Sequence, residues 1–407
     1  MAGGLLQLVA SGAQDSYLVG NPQITFFKIV YRRHTNYAKE SVRQFFTTRP
    51  DYGRILNCTI SRDGDLVQDI YMEINLPLLP ASPDTNFYIY GIGNALIKKV
   101  ELEIGGQLID RHYSEWLNIW EELSCPPGQR VGLDEMVGNN PSNLKGGRLY
   151  VPLQFWFNRR PGLALPLAAI HKHEVRLHFE IRENTNLVFN GTTYTSAPAI
   201  TDDDFIRVYA DYIYLDVEER RRFTTLPMEY LIEQVQFNGD EHYPGNTNSN
   251  HAGTKLSKTS LNFINPVKEL IWVLTPDTVL ESANRYFNFS NAAANVFSTG
   301  KLVLDGIDFQ GERDADYFLL EENWKHHTNI PRFSSSFNQR IYTYSFALFP
   351  EEHQPNGFCN FSRLNEASLI LTYPYLTDDW TLKVFATNYN ILRIVDGMAG
   401  LVYSNLN

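Results

Sequence analysis

Residues 67–76 read Val-Gln-Asp-Ile-Tyr-Met-Glu-Ile-Asn-Leu, and from Ile70 to Leu76 every second side chain is apolar. The side chains between them, such as Glu73 and Asn75, are polar or carry a hydroxyl. Because successive side chains of a β-strand point to opposite sides, this alternation predicts a strand with one buried face. Burial of such a row of apolar side chains contributes roughly 6–12 kcal/mol before opposing effects, which is enough to fix the register of the strand.

The same alternation recurs along the chain. Segments 99–104 and 175–182 repeat it, and segment 205–217 carries apolar residues on both faces, as expected of a strand covered on both sides. Helical patterns are few. The best is 112–123, which Ser114 is expected to cap, and a further helical turn is predicted at 313–323. The predicted fold class is therefore all-β with a few short helices in loops.

The strand patterns of the two halves match in the same order. The matched positions, at displacements of 200, 200, 192 and 176 residues, include Ile70 with Leu270, Leu102 with Leu302, Leu177 with Leu369, and Tyr209 with Phe385. Matching strands with loops of changed length are typical of a duplicated domain. Alternation alone also generates such matches, so chance similarity is the alternative explanation.

Each half offers eight strand candidates, the number found in a jelly roll made of two sheets around one core. They lie at 39–46, 54–61, 67–77, 97–104, 148–157, 163–170, 173–182 and 205–217, and at 229–237, 256–263, 267–275, 299–305, 341–349, 359–363, 365–373 and 380–393. The sequence therefore predicts two tandem eight-stranded antiparallel jelly-roll barrels. We assign 1–24 to an N-terminal segment, 25–218 to the first jelly roll, 219–227 to a charged linker, and 228–407 to the second jelly roll.

Composition argues against several classes of function. The chain has 407 residues and a net charge of −11, whereas a protein that coats nucleic acid needs an excess of Lys and Arg. Its three cysteines have no metal-binding spacing, which favours reduced thiols in a cytosol-like compartment. We expect neither a secretory signal, since the N-terminus lacks a basic leader, nor a segment that spans a bilayer.

No motif for catalysis is found in the sequence. It has no nucleophile elbow, phosphate-binding loop or dinucleotide fingerprint, so we expect no enzyme activity and no cofactor. His171 and His173 share one face of a predicted strand and can be a metal pair or, with fewer requirements, a hydrogen-bonded pair at a barrel end. The carboxylates at 63–65 and 202–204 can bind a hard cation, but a hairpin turn and a solvated loop explain them as well. We therefore assign no metal site.

Two further groups of residues are candidates for surface roles. Asn190 and Asn288 lie in long predicted loops and are the candidate glycosylation sites, whereas the sequons at Asn57 and Asn360 fall in or beside strands. Short basic runs are expected to form salt bridges between subunits rather than bind nucleic acid, and they lie at 32–33, 159–160 and 220–222.

Longer motifs are spread over nearly the whole chain. They are the run 1–36 (MAGGLLQLVASGAQDSYLVGNPQITFFKIVYRRHTN), LEIGGQ (102–107), IDRHY (109–113), FNRRPGLALP (157–166), HEV (173–175), LPMEYLIEQ (226–234), CNFSR (359–363), NYNILR (388–393) and GMAGL (397–401). Together and in this order, they closely resemble the motifs of major capsid proteins from nucleocytoplasmic large DNA viruses, of the chlorovirus and iridovirus type. Each motif alone would be weak, and the set is highly specific.

The resemblance implies a double jelly roll that self-assembles as a homotrimer, with six similar barrels in a pseudo-hexagonal outline. Such capsomers would build the icosahedral shell of a large double-stranded DNA virus. The implied partners are neighbouring capsomers, minor capsid and penton proteins and an internal viral membrane, with no direct contact with nucleic acid. The protein would be made and assembled in the host cytoplasm and would reside in the virion.

The resemblance also places the N-terminal segment on the inner side of the shell. There Leu5, Leu6, Leu8 and Val9 would contact either the membrane or a neighbouring subunit. Interfaces between subunits are expected on the barrel sides and in the loops at 126–147 and 238–255. The alternative function is a carbohydrate-binding or carbohydrate-cleaving β-sandwich, because aromatic-rich jelly rolls often hold sugars on exposed Trp side chains.

Overall fold

The computed structural model describes most of the chain. The described residues are 3–21, 23, 25–29, 31–80, 86–139, 144–190, 194–202, 204–244, 255–277, 286–290, 294–332, 339–374 and 379–404. The chain divides into a short unit that ends at Tyr37 and a large unit that begins at Ala38. The short unit contains helix α1 (Gly3–Val9) and a 3-10 helix (Ala13–Tyr17).

The large unit is built mainly of strands. In the first half they are β1 (Tyr37–Gln44), β2 (Ile55–Thr59), β3 (Leu66–Leu76), β4 (Phe87–Tyr88), β5 (Ile97–Ile104), β6 (Gln107–Tyr113), β7 (Gly147–Pro152), β8 (Val175–Ile181), β9 (Val188–Phe189), β10 (Tyr194–Thr195) and β11 (Ile206–Leu215). In the second half they are β12 (Met228–Tyr243), β13 (Lys255–Ser260), β14 (Pro266–Pro276), β15 (Thr299–Leu304), β16 (Ile307–Asp314), β17 (Tyr342–Ser345), β18 (Cys359–Asn360), β19 (Ala367–Tyr373), β20 (Trp380–Val395) and β21 (Met398–Leu401).

Each half forms a pair of antiparallel sheets. In the first half the strand orders are β1-β11-β3-β7 and β2-β8-β5-β6, with a small third sheet β10-β9-β4. In the second half they are β12-β20-β14-β17, extended by β18 and β21, and β13-β19-β15-β16. Met72 and Leu102, from opposite sheets, pack in the first core, and Trp272 and Leu371 do the same in the second. These are two jelly rolls in tandem, as the sequence predicts.

The register of the strands confirms the internal repeat. Residues that are cross-strand partners in the first half have counterparts, at the displacements given above, that are cross-strand partners in the second half. The pairs are Leu102 with Leu177 and Leu302 with Leu369, and likewise Tyr71 with Tyr209 and Ile271 with Phe385. Chance alternation would not reproduce the same cross-strand partners in two sheets, so the two barrels are structural duplicates.

The sequence misassigned the same strand in each half. Strands β6 and β16 were not predicted, whereas the candidate at 163–170 contains only an isolated β-bridge at Leu165, and the candidate at 359–363 is the two-residue strand β18 followed by a 3-10 turn (Phe361–Arg363). The two missed strands lack alternation, because β6 is covered by the second barrel and seven of the eight residues of β16 are exposed. A two-residue turn precedes each of them, Gly105-Gly106 and Asp305-Gly306, and all four residues have positive φ. Such Gly-Gly and Asp-Gly turns are a hairpin signal that does not depend on alternation.

Short helices occupy the connections. They are α2 (Ile92–Leu96), α3 (Ser114–Ser124), α4 (Arg130–Val137), α5 (Trp156–Arg159), α6 (Val217–Thr225), α7 (Glu322–His326) and a π-helix (Tyr317–Glu321). Ser114 is the first residue of α3 rather than its cap, since Tyr113 occupies the cap position without a side-chain bond. The segment predicted as a linker is helical, and the Asp216 carboxylate accepts the backbone N–H of Val217 at its start.

Candidate assembly interface

The two barrels of one chain pack through an aromatic junction. The ring of Trp116 on α3 lies 5.7 Å from that of Phe385 on β20, and the ring of Tyr113 on β6 lies 4.9 Å from that of Phe237 on β12. Trp116 and Phe385 are fully buried and belong to the same apolar core. Because aromatic side chains bury large areas, this junction is a continuous part of the interior rather than a hinge.

Polar contacts between the two barrels surround the aromatic junction. Gln234 on β12 donates to the carbonyl of Ile109 on β6, and the next backbone N–H, that of Val235, donates to the Asp110 carboxylate at 3.0 Å. The Lys383 ammonium lies 2.7 Å from the Glu115 carboxylate. Burial opposes the charged form of Glu115, but Lys383 outweighs it and lowers the pKa of that carboxyl.

A buried ion cluster joins first-barrel Arg159 to the second barrel. The Glu233 carboxylate lies 2.8 Å from the Lys268 ammonium and 2.5 Å from the Arg159 guanidinium. Lys268 is fully buried and also donates to the carbonyl of Pro350. Burial raises the pKa of Glu233, but the two cations overcome it and lower the pKa to about 2. Removal of one partner would leave an uncompensated charge in the interior.

A second buried cluster lies beside the first. The imidazole of His327 lies between two carboxylates, with Nε2 3.3 Å from Glu269 and Nδ1 3.1 Å from Glu351. Burial favours the neutral ring, but the two carboxylates raise the pKa of His327 to about 9. His327 is therefore a cation at neutral pH, and it ties the segment after α7 to strand β14.

A third charged cluster connects the helices α3 and α4 to the second barrel. The Arg332 guanidinium lies 2.7 Å from Glu122 and 2.8 Å from Asp134. Glu121, the neighbour of Glu122, accepts a 2.6 Å hydrogen bond from the Asn94 amide. Burial raises the pKa of Glu121 to about 8. The carboxyl of Glu121 is therefore mostly protonated at neutral pH.

The two histidines singled out from the sequence lie at a barrel end and contact the second barrel. His173 Nδ1 is 3.0 Å from the carbonyl oxygen of Ala399, and the His171 ring packs against Gly397. Neither residue is part of a metal-ligand group among the described residues. The geometry thus shows a hydrogen bond at the His173 ring and a packing contact at the His171 ring.

Each predicted carboxylate cluster has one aspartate that pairs with arginine. Asp65 lies 2.5 Å from the Arg220 guanidinium, and Asp204 lies 2.5 Å from Arg43 and 2.7 Å from Arg207. Asp203 lies outside the described residues. Two of the three basic runs expected to bridge subunits have a salt bridge within the chain, through Arg159 and Arg220.

The sequence did not single out a group formed by His242, Asp277 and Asp379. Each residue offers one ligand atom, and these atoms lie within 4.8 Å of one another. His242 Nδ1 is 3.1 Å from the Asp277 carboxylate, and the Thr381 hydroxyl donates to the same carboxylate at 2.8 Å. The three residues stand near the ends of adjacent strands β12, β14 and β20, so only the strand order brings them together.

The remaining candidates of the sequence are placed as follows. Asn190 and Asn288 are half-buried, and the buried Ser290 hydroxyl donates to the Asn288 side chain at 3.1 Å. Glycosylation at these two residues stays a prediction. The apolar side chains of α1 are exposed by 51% to 79%, and they are Leu5, Leu6, Leu8 and Val9. Among the described residues, no helix combines the length and apolarity needed to cross a membrane.

The long loops lie partly outside the described residues. Of the loop predicted at 126–147, residues 130–137 form α4 and 140–143 are not described. Of the loop predicted at 238–255, residues up to Tyr243 continue β12 and 245–254 are not described. The carbohydrate alternative finds little support, because five of the six Trp side chains are buried and Trp324 alone is exposed, by 70%.

Comparisons with known proteins cover almost the whole chain. Residues 25–216 match the family described as major capsid protein N-terminus, and residues 219–400 match the large eukaryotic DNA virus major capsid protein family. A major capsid protein of Pyramimonas orientalis virus is 42% identical over the full length of both chains.

Solved structures agree with these matches. The VP54 capsid protein of PBCV-1 is 33% identical, with a TM-score of 0.80 over 94% of this chain and all of that chain. The Faustovirus major capsid protein is 14% identical with a TM-score of 0.73 over 95% of this chain and 94% of that one, which is a similarity of fold.

Proposed function

Because the chain belongs to the major capsid protein family of large eukaryotic DNA viruses, we propose that three copies of it form one capsomer of pseudo-hexagonal outline. The chain is a structural protein of the virion and assembles with other capsid subunits into the capsid. Beyond this capsid role, we propose three chains per capsomer, an icosahedral arrangement of capsomers, and no enzymatic reaction.

The duplication of the barrel is the observation that carries this proposal. Both barrels have the same strand order and the same cross-strand partners, so three chains present six similar barrels. A ring of six similar units fits a hexagonal lattice on all sides, whereas its threefold symmetry needs only one kind of chain. Fusing two barrels in one chain thus supplies half of the contacts of the ring before any subunits meet.

Sedimentation of the purified chain tests the stoichiometry. We expect a species of three times the chain mass at micromolar concentration, and a strict monomer at high concentration would contradict the proposal. Electron microscopy of particles then tests the lattice, since trimeric capsomers in hexagonal rows are expected. Particles built from another capsomer would contradict it.

The proposed partners include neighbouring capsomers, minor capsid and penton proteins and an internal membrane, with assembly in the host cytoplasm. Helix α1 supports an inner contact because its four large apolar side chains, Leu5, Leu6, Leu8 and Val9, are exposed and its terminal turns carry no charge. So short an apolar segment binds a bilayer only weakly. Deletion of residues 1–20 with liposome flotation tests the membrane: lost flotation supports it, and unchanged flotation leaves contact with a neighbouring subunit.

A further inference from the structure

We propose that strand β16 of one copy packs against the face formed by β1 and β11 of the next copy. This contact would repeat, between chains, the junction that joins the two barrels within a chain. The inference rests on the proposed trimer and names the two surfaces that hold it together.

The junction within the chain defines the pattern. Strand β6 is the last strand of its sheet, and only one of its seven residues is exposed. Strand β12, the edge strand of its sheet in the second barrel, covers this edge, and Phe385 on the neighbouring strand β20 covers Trp116 on helix α3, which directly follows β6. Tyr113 and Trp116 of the first barrel meet Phe237 and Phe385 of the second there. The first barrel thus contributes the β6 edge of one of its sheets. The second barrel contributes the outer face of the sheet that contains β12 and β20.

The duplication assigns a counterpart to each side of this junction. A displacement of 200 residues carries β6 onto β16, and a displacement of 176 carries Phe385 of β20 onto Tyr209 of β11. The strand orders agree, because β16 ends its sheet as β6 does and β1-β11 begins its sheet as β12-β20 does. Each chain therefore has a second edge and a second face of the same kind.

Within the large unit, β16 and the start of β1 are open to solvent, and alternate residues of β11 are half-buried. Seven of the eight residues of β16 are exposed, including Ile307 by 71% and Phe309 by 51%. On the other side, the first five residues of β1 are exposed. An uncovered sheet edge with large apolar side chains is a site of association, which soluble proteins otherwise protect.

The two surfaces are complementary in chemistry. The sequence of β16 (IDFQGERD) holds three carboxylates and one arginine, whereas that of β1 (YAKESVRQ) holds two cations and one carboxylate. Beside β1, the ring of Tyr71 stacks on Tyr209 with 5.3 Å between centroids. The residue of β16 that corresponds to Tyr113 is Arg313, which is exposed. Tyrosine and arginine are the side chains enriched where surfaces must be soluble before they associate.

The contact joins two different surfaces, so it is head-to-tail. An interface of this type forms a ring when the rotation closes, and each chain then uses both of its surfaces once. Three chains leave neither β16 nor the β1-β11 face uncovered. A chain with either surface damaged could therefore not complete such a ring.

Three double variants test the inference by sedimentation. The edge variant carries Ile307→Asp and Arg313→Glu on β16, and the face variant carries Lys39→Glu and Ser41→Glu on β1. The control carries Leu256→Asp and Lys258→Glu on β13, an exposed edge strand of the second barrel, and makes the same kinds of charge change. We expect the edge and face variants to associate at least about 100-fold more weakly than the control, as when central contacts of an interface are lost.

A mixture of the edge and face variants gives the sharpest result. Each pair retains one intact contact, so dimers of one edge and one face variant are expected, and trimers in the mixture would overturn the inference. Edge or face variants that form trimers as readily as the control would also overturn it, with the proposed trimer left intact. A monomeric wild-type chain would instead contradict the trimer itself.

Hydrogen–deuterium exchange on the wild-type chain is independent of any variant. Amides of 307–314 and 38–44 should exchange more slowly at concentrations where the trimer forms than where it dissociates, and those of 255–260 should not change. Protection at 255–260 with none at 307–314 would overturn the inference.

Discussion

Tyr209 and Phe385 occupy the same position in the two barrels and differ in what covers them. Their cross-strand partners, Tyr71 and Ile271, also correspond, so the backbone environment is the same. Phe385 is fully buried against the other barrel of its own chain, whereas Tyr209 is half-buried on an open face. The fold therefore places the two side chains alike. The apolar Phe385 stands where the position is always buried, and the more polar Tyr209 stands where burial would require a second copy of the chain.

The comparison extends to charge at the next pair of positions. Gln68 on β3 accepts a hydrogen bond from the Lys39 ammonium at 2.5 Å. Its counterpart Lys268 on β14 is a buried cation that pairs with Glu233. The second barrel thus has a charged residue, Lys268, at the position where it contacts Arg159 of the first barrel. The corresponding position of the first barrel has the neutral amide of Gln68.

The largest expected effect comes from removing an aromatic ring from the junction between the barrels. Phe385→Ala should lower the free energy of unfolding by about 3–5 kcal/mol, because it removes a fully buried ring and leaves a cavity. Tyr209→Ala is the matched control and should cost about 1 kcal/mol or less in the isolated chain, since its ring is partly solvated. Urea unfolding of both variants at a concentration below trimer formation measures the difference. Equal losses would show that the two faces are covered alike.

The next effect concerns the buried cation. Lys268→Gln installs the first-barrel residue in the second barrel and should destabilise the chain by about 2–4 kcal/mol, because Glu233 keeps only part of its compensation. Lys258→Gln is the control, since its pair with Glu366 is half exposed and should contribute less than about 1 kcal/mol. Chemical unfolding near neutral pH measures both. A Lys268→Gln chain as stable as the control would show that the charge contributes only specificity.

The pH dependence of stability sharpens the comparison of Asp69 with Glu269. Burial raises the pKa of Asp69, whereas His327 overcomes burial and lowers that of Glu269. The pKa of His327 is raised to about 9 from an ordinary value of 6.5. Its contribution is therefore complete below about pH 6.5 and is lost as the pH rises through about 9. Melting of the wild type against His327→Gln should show about 2 kcal/mol of difference near pH 7 and little at pH 10.

The exposed His242→Gln serves as the control for that titration. Its imidazole is 56% exposed and pairs with a half-exposed aspartate, so its removal should change stability by less than about 1 kcal/mol. If the His327→Gln chain still lost stability between pH 7 and 10 as the wild type does, another group would be responsible.

The fold could be predicted from the sequence because alternation is local. The row from Ile70 to Leu76 needs no knowledge of its neighbours, and the repeat then fixes the second barrel. Strands β6 and β16 were missed because one is buried by a distant barrel and the other faces solvent, although their two-residue turns were in view. The clusters around Glu233 and His327 could not be found, since their members are brought together only by the packing of separate segments.

The smallest expected effect is a gain of stability at Glu121. This carboxyl has its pKa raised to about 8, whereas Glu321, at a displacement of 200, is exposed and pairs with Lys325 at 2.7 Å. Within the described residues, neither Glu121 Oε1 nor Asn94 Oδ1 has a hydrogen-bond partner, and a glutamine amide can donate to the Asn94 oxygen.

Raised pKa values in the folded state favour folding at low pH, so the wild type should lose stability between about pH 4.5 and pH 8. Glu121→Gln removes that loss and should gain about 1–2 kcal/mol at pH 8, with little change at pH 4. Glu321→Gln should change stability by less than about 0.5 kcal/mol at either pH, because an exposed pair on a helix is weak. Thermal melting of both variants at the two pH values decides: a gain at Glu121→Gln that is the same at pH 4 would mean that packing, not the proton, limits this site.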